Sequence, residues 1–293
     1  MRYRITHTTT YEYAGLVGHS YNEARLLPRE CQHQNLISAR LEITPKETDF
    51  RVREDFFGNK TAYFAITEPH REFSITAVSE VDVLGKDRQL DLSQSTSWEE
   101  VKTILQQDTH ADVLDARQYT LDSPDVITSP DLAAYAQPSF TSGRPLFASV
   151  YDLMQRIHRD FTFDPEFTTL STPLKTVLEH RRGVCQDFAH LAIGCIRSCG
   201  LAARYISGYI ETLPSPGQEK LVGSDASHAW FSVYLPDVGW MDFDPTNNQI
   251  PGDQHIIVAW GRGYSDVTPL KGVVFGGQDH ELKVSVDVAR LGP

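Results

Sequence analysis

The sequence predicts an α+β protein, with an amino-terminal all-β, sandwich-like module followed by a core in which a helix-start cysteine packs on an antiparallel sheet. Three observations carry this reading. Residues 1–90 alternate apolar and polar side chains over successive short runs, the period of half-buried strands. From Cys185 onward, Phe188, Leu191, Ala192, Cys195, Ile196 and Cys199 recur at helical spacing and make one apolar face. Residues 227–244 hold an aromatic, β-branched run, a turn and a second such run, which is a hairpin.

In chain order, strands are expected over Arg2 to Tyr13, Leu36 to Thr44, Phe50 to Phe57, Tyr63 to Thr67 and Phe73 to Leu84, with Pro45 and Gly58-Asn59 as stops. Residues 91–145 read as a helical connector. Ser95-Thr96-Ser97-Trp98-Glu99-Glu100 has the form of a capped helix start, and Ser123-Pro124-Asp125 and Ser129-Pro130-Asp131 mark turns or helix starts. Residues 146–293 are assigned to the core. A helix is expected through Val150, Leu153, Met154 and Ile157, and a short one through Leu174, Val177 and Leu178. Gly183 leads into the cysteine helix, and Gly200 suits the position that ends it. Ala202 to Ile210 reads as a strand, Pro214 to Lys220 as an exposed loop at a cleft rim, and Val273 to Phe275 and Leu282 to Val288 as two further strands of the core.

Composition narrows the function. A net charge of −12 over 293 residues argues against a nucleic-acid partner and against anionic membranes. Met1 to His7 leads into polar sequence without an apolar signal region, and no run reaches transmembrane length. A reduced, cytoplasmic protein is the expectation. Cys195 and Cys199 lie one helical turn apart, a poor spacing for a disulfide, and no Cys-x-x-Cys or recurring His pair forms a zinc pattern. No metal and no cofactor are expected.

The chemistry rests on three side chains. Cys185 falls in the first turn of its helix, where free backbone N–H groups and the positive dipole end favour a thiolate. In the hairpin, pairing Tyr234 with Trp240 makes Asp244 a diagonal neighbour of His228, and a two-residue slip makes it the direct neighbour. Either register puts a carboxylate beside an imidazole, which fixes its tautomer and supports the imidazolium. Taken alone, Cys185 reads more readily as a small buried core residue, and the hairpin changes that weighting.

Gly183-x-Cys185-x-x-Phe188-Ala189, Arg204-Tyr205-x-Ser207-Gly208-Tyr209, His228-Ala229-Trp230 and Trp240-x-x-x-Asp244-Pro245-Thr246 resemble the transglutaminase-like (papain-like thiol enzyme) core of bacteria. Thr9-Thr10-Tyr11-x-Tyr13 with Arg25-Leu26-x-Pro28 resembles the amino-terminal domain that accompanies it. His255-Ile256-x-Val258-Ala259-x-Gly261-Arg262 with Tyr264-x-Asp266-Val267 resembles its closing segment, with Gly263 where the family usually has Asp. The resemblance implies Cys185 as nucleophile, His228 as base and Asp244 as orienter.

The implied reaction is acyl transfer from a peptide or protein amide, with the oxyanion held in part by the Cys185 N–H. Six residues before the cysteine, where papain-like proteases often carry Gln, stands Glu179, which accepts but does not donate when ionised. Gln186, Tyr209 and Trp230 are candidate substrate-binding residues, the two aromatics being equally readable as core. Asp242 is a second candidate orienter, and His190 reads as a core-edge histidine. Three functions fit: a thiol hydrolase (peptidase or amidase), a protein-glutamine γ-glutamyltransferase or deamidase, and a non-enzymatic binding module. The absence of an acidic Ca²⁺ loop disfavours a calcium-switched crosslinker, the intact Cys–His–Asp set argues against the binding module, and the hydrolase is the expected function.

Overall fold

A computed structural model describes residues 1–84, 95–169, 172–212, 227–236 and 238–292. The loop expected at 214–220 lies outside the described residues.

The amino-terminal module is built on β1 (Arg2–Ala24), a strand of 23 residues. β2 (Gln34–Thr44), β3 (Asp49–Glu54), β4 (Lys60–Ile66) and β5 (His70–Val83) complete its first sheet path, in the order β2-β5-β1-β4-β3. Pairing shifts between Glu12 and Val17, so the first half of β1 pairs with β5 and the second half with β4. The two halves close on a cluster of Phe64, Ile66, Phe73, Ile75, Leu26 and Ala77, flanked by Tyr11 and Tyr13. The alternation seen in the sequence is this inward and outward facing.

The connector carries α1 (Trp98–Gln107), α2 (Ala111–Arg117) and α3 (Pro130–Ala136). Ser97 caps α1 as expected: its hydroxyl accepts from Glu100 N while the Glu100 carboxylate accepts from Ser97 N. Ser129 caps α3 by accepting from Leu132 N at 3.2 Å, with Pro130 in the first turn.

The core follows with α4 (Leu146–Asp160), β6 (Thr162–Phe163), α5 (Leu174–His180), β7 (Arg182–Gly183) and α6 (Cys185–Ser198). Then come β8 (Ala203–Ile210), β9 (Ser227–Leu235), β10 (Gly239–Phe243), β11 (His255–Gly261) and α7 (Tyr264–Val267). The sheet order is β10-β9-β8-β11, antiparallel throughout. α6 lies on this sheet, burying Phe188, Leu191, Ala192, Cys195 and Ile196, the face read from the sequence. Gly200, at φ +83°, ends the helix in the left-handed conformation. The buried Arg197 fastens this end by donating to the carbonyls of Tyr119, Ala203 and Arg262.

The tail corrects the expected domain division. β12 (Leu270–Gly276) and β13 (His280–Leu291) do not join the core sheet; both pair with β1, β13 from Arg2↔Leu291 to Tyr13↔His280 and β12 from Val17↔Gly276 to Ala24↔Leu270. Since β5 and β4 occupy one edge of β1, its other edge would stay open without them. Alternation predicts a half-buried strand but not which sheet it joins.

The module also closes the free edge of the core sheet. The Gln34 amide donates to Ile257 O at 2.7 Å and accepts from Ile257 N at 2.8 Å. The Asn59 amide does the same for Trp260, at 2.8 and 2.9 Å. Two side-chain amides therefore stand in for a neighbouring strand along β11.

Candidate active site

Cys185 is the first residue of α6, after Val184 in extended conformation. Its backbone N–H is one of the helix-start donors with no partner inside the helix. The entry is held by Asp187, whose Oδ2 accepts from Val184 N at 2.8 Å and Thr168 Oγ1 at 2.7 Å. This explains Gly183 sterically: a Cβ there would stand 2.8 Å from Asp187 Oδ2 and 2.9 Å from its Cβ. Asp187 is thus a capping residue, and burial raises its carboxyl above the usual range.

His228 comes from β9, across the sheet from β8 at Gly208. The hairpin takes the register with Trp240 opposite Tyr234. Beyond β10, Asp244 and Gln249 exchange backbone hydrogen bonds and close a tight loop, with Asn248 left-handed at φ 51°. That loop aims the Asp244 carboxylate at His228, with Oδ2 2.8 Å from Nε2. Asn247 Nδ2 lies 3.3 Å from the same nitrogen, and the Cys185 side chain interacts with the ring. Burial alone would lower the His228 imidazole, but hydrogen bonds with Asp244 and Cys185 outweigh it and push it up to about 9.

Asp244 is fully buried and saturated with donors. Oδ1 accepts from Thr246 N at 3.0 Å and Asn247 N at 3.1 Å. Oδ2 accepts from Asn247 Nδ2 at 2.8 Å and His255 Nε2 at 3.1 Å as well as from His228. Burial would raise this carboxyl, yet the donors from His228, His255 and Asn247 hold it well below the usual range. Sequence reasoning passed over Asn247 and left His255 without a role. The signal for Asn247 was the Asp-Pro-Thr-Asn order, in which an aspartate turn presents the next side chains to its own carboxylate.

The other sequence candidates separate. Trp230 is fully buried behind His228, 5.9 Å between ring centroids, and is a core residue. Tyr209 is buried too, its hydroxyl 2.8 Å from His7 Nδ1 of the amino-terminal module. Both aromatics sit in the core, at most 2% exposed, rather than on an open surface where a substrate would meet them. They lie on opposite faces of the sheet, and both faces are covered, that of Tyr209 in part by His7 of the module. Asp242 pairs with Ser232, four residues along β9 from His228, and contributes instead to the charge around the buried Arg204. His190 accepts from Tyr264 N at 3.1 Å, and burial pushes its ring down to about 4.

Gln186 opens on a cavity of about 600 Å³ that begins one residue past Cys185. Asp125, Asp131, Asp187 and Lys175 supply its charged groups, and Ile127, Leu132, Leu174 and Leu178 its apolar wall. The ligating atoms of His228, Asp244 and His255 also converge within 4.8 Å of one another. They are occupied by hydrogen bonds among themselves. His255 Nδ1 is buried with no protein partner, whereas a metal-bound histidine normally donates its other ring N–H to a second group. The donor set therefore does not fit a metal centre.

Residues 3–82 match the Bacterial transglutaminase-like N-terminal region, and residues 133–245 match the Transglutaminase-like superfamily. An uncharacterized protein of Mycobacterium tuberculosis is 42% identical over 295 residues, covering 98% of this chain and 92% of its own length. The chain belongs to the transglutaminase-like superfamily. A crystal structure of a candidate cysteine protease from Cytophaga hutchinsonii shares this transglutaminase-like fold, with a TM-score of 0.78, at 21% identity over 100% of this chain and 91% of that one. A protein-glutamine gamma-glutamyltransferase of Pseudomonas aeruginosa is 30% identical over 122 residues, which is 40% of this transglutaminase-like chain and 17% of that protein. Among the described residues no helix is long and apolar enough to cross a membrane.

Proposed function

We propose that the chain is a thiol-dependent amide hydrolase working through Cys185, His228 and Asp244. The observation that carries this is the position of His228, between the Cys185 side chain and the Asp244 carboxylate. In the first step the Cys185 sulfur attacks an amide carbonyl, with its charge developing beside the Cys185 N–H. The C–N bond breaks and His228 gives its proton to the leaving amine. Water then attacks the thioester, His228 takes a proton from it, and the C–S bond breaks to release the acid. The cavity beginning at Gln186 has the size of a side-chain or small-ligand site, which suits a peptide amide.

Transamidation is the second reading, favoured by the similarity to the Pseudomonas aeruginosa enzyme. It differs only in the group that resolves the thioester. The test is incubation with a peptide library, with and without a labelled primary amine, followed by mass spectrometry. Carboxylic acid products that need Cys185 support the hydrolase. Amine-bearing products from glutamine support the transferase. No turnover in either arm, with Cys185→Ala indistinguishable from the parent, would leave a binding module.

A further inference from the structure

His255 meets the site from a third strand. β11 is the neighbour of β8, which is the neighbour of β9, so His255 reaches Asp244 across the strand that separates it from His228. The passage exists because residue 208 is glycine. A Cβ there would stand 2.6 Å from Trp230 Cη2 and 2.1 Å from Ile256 O. Trp230 fills that space and meets the His255 ring edge to face, 5.1 Å between centroids.

The protonation of His255 follows from its partners. An ionised Asp244 has no proton to give, so His255 Nε2 must carry the hydrogen and donate. Nδ1 is buried without a protein partner. The His255 ring lies 6.1 Å from that of His228 between centroids.

The role of this bond is not to orient the carboxylate. The backbone N–H groups of Thr246 and Asn247 already fix Oδ1 and with it the carboxylate plane. What His255 does is draw on Oδ2, the same oxygen that holds His228. We propose that His255 is a positioning residue that shares Asp244 Oδ2 with His228 and thereby weakens the support the carboxylate gives to the His228 imidazolium. This inference rests on the thiol-hydrolase reading. The proton given to the leaving amine sits on the ring nitrogen away from Asp244, and a carboxylate that supports the imidazolium less lets that proton go more readily. The groups facing His228 are Cys185 of α6, Asp244 and His255. Beyond His255 stand Cys31, His33 and Asp242, which line with it a void of about 20 Å³.

The rate of Cys185 alkylation by iodoacetamide, followed by mass spectrometry across pH, reports when His228 loses its proton as an alkaline inflection. His255→Phe removes the shared donor at similar shape, and the inflection should move up by roughly half a unit to one unit. His255→Gln keeps an N–H at similar reach and should restore the parental inflection. An inflection that stays or moves down in folded His255→Phe overturns the proposal, and so does an equal shift in both variants. Should His255→Phe not fold, ¹⁵N spectra of the histidines in the unaltered protein decide. His255 should show the tautomer with hydrogen on Nε2, engaged with Asp244, and a His255 tautomer with Nε2 bare would be decisive against it. An unaltered protein lacking the alkaline inflection altogether would overturn the hydrolase reading itself, together with this inference.

Discussion

The Asp244 carboxylate lies 2.8 Å from His228 Nε2, while Asp242, two residues earlier on the hairpin, adds its charge to the surroundings of the buried Arg204. Substitutions of the two carboxylates should therefore separate activity from stability. Asp244→Asn should lower hydrolysis of a library-identified peptide by about tenfold or more, and by less than Cys185→Ala, because asparagine supports the imidazole in some thiol enzymes. Asp242→Asn should leave turnover within about twofold and lower stability by about 1–3 kcal/mol, since it strips a buried arginine of an opposite charge. Turnover assays paired with urea melts check both. A larger activity loss in Asp242→Asn at unchanged stability would reverse the assignment.

The four cysteines should react very unequally. All are free thiols. Burial raises the Cys31 thiol, pushes Cys199 up to about 11, and takes the fully buried Cys195 well above the ordinary range. Cys185 alone has the helix-start N–H groups and an imidazole partner. Limited iodoacetamide treatment near neutral pH should label Cys185 first, by a margin of roughly tenfold or more. Peptide mapping reads the distribution, and even labelling would speak against an activated thiolate.

Acid should weaken the fold through two histidines outside the reacting pair. Burial pushes His7 and His190 each down from 6.5 to about 4. The folded state thus binds their protons less well than the unfolded chain does. Their contribution is complete above pH 6.5 and is lost as pH falls toward about 4, with a ceiling of about 3 kcal/mol each. His228 acts in the opposite sense: raised from 6.5 to about 9, it contributes fully below 6.5 and loses that contribution as pH rises through about 9. Thermal melts across this range should show both limbs, and His7→Gln should flatten the acid one. An acid limb of the same depth in His7→Gln would mean that His7 takes no part in it.

Gly208→Ala should be among the most damaging single-methyl changes in the core. The added Cβ would collide with a backbone carbonyl and with the fully buried Trp230. Displacement of Trp230 would disturb both His228 and His255, which it touches. A loss of about 2–4 kcal/mol is expected, together with reduced Cys185 reactivity. Near-normal melting with normal alkylation would show that the strand yields at little cost.

The parts of this protein that were legible in the sequence are those set by local spacing. The apolar stripe from Phe188 to Cys199, the Ser97 capping box and the Tyr234–Trp240 register all follow from residues within one or two elements of each other. Asp244 could be named because a hairpin brings it back to His228 by geometry alone. His255 and Asn247 could not be given roles. His255 reaches Asp244 only through sheet order, across a strand whose glycine leaves room, and nothing in a linear pattern records that. The same limit misplaced Trp230 and Tyr209: alternation gives two faces, but which face is covered depends on the module packed against it. The destination of β12 and β13 was hidden for the same reason, since a half-buried strand carries no address.

The pairing of β1 with β13 also constrains how the polypeptide comes into being. When the ribosome has finished β11, the whole Cys185–His228–Asp244 constellation has been synthesised, yet the first strand of the molecule still lacks the neighbours on one side. An exposed strand edge of that length is a template for pairing with other chains. Contacts that join residue 2 to residue 291 are also among the slowest to form, because a loop of that span must close first. Nascent chains therefore pass through a stage in which the thiol centre is in hand while the amino-terminal sheet is still adhesive. Synthesis of β12 and β13, rather than completion of the chemistry-bearing segment, is what supplies the missing neighbours of β1.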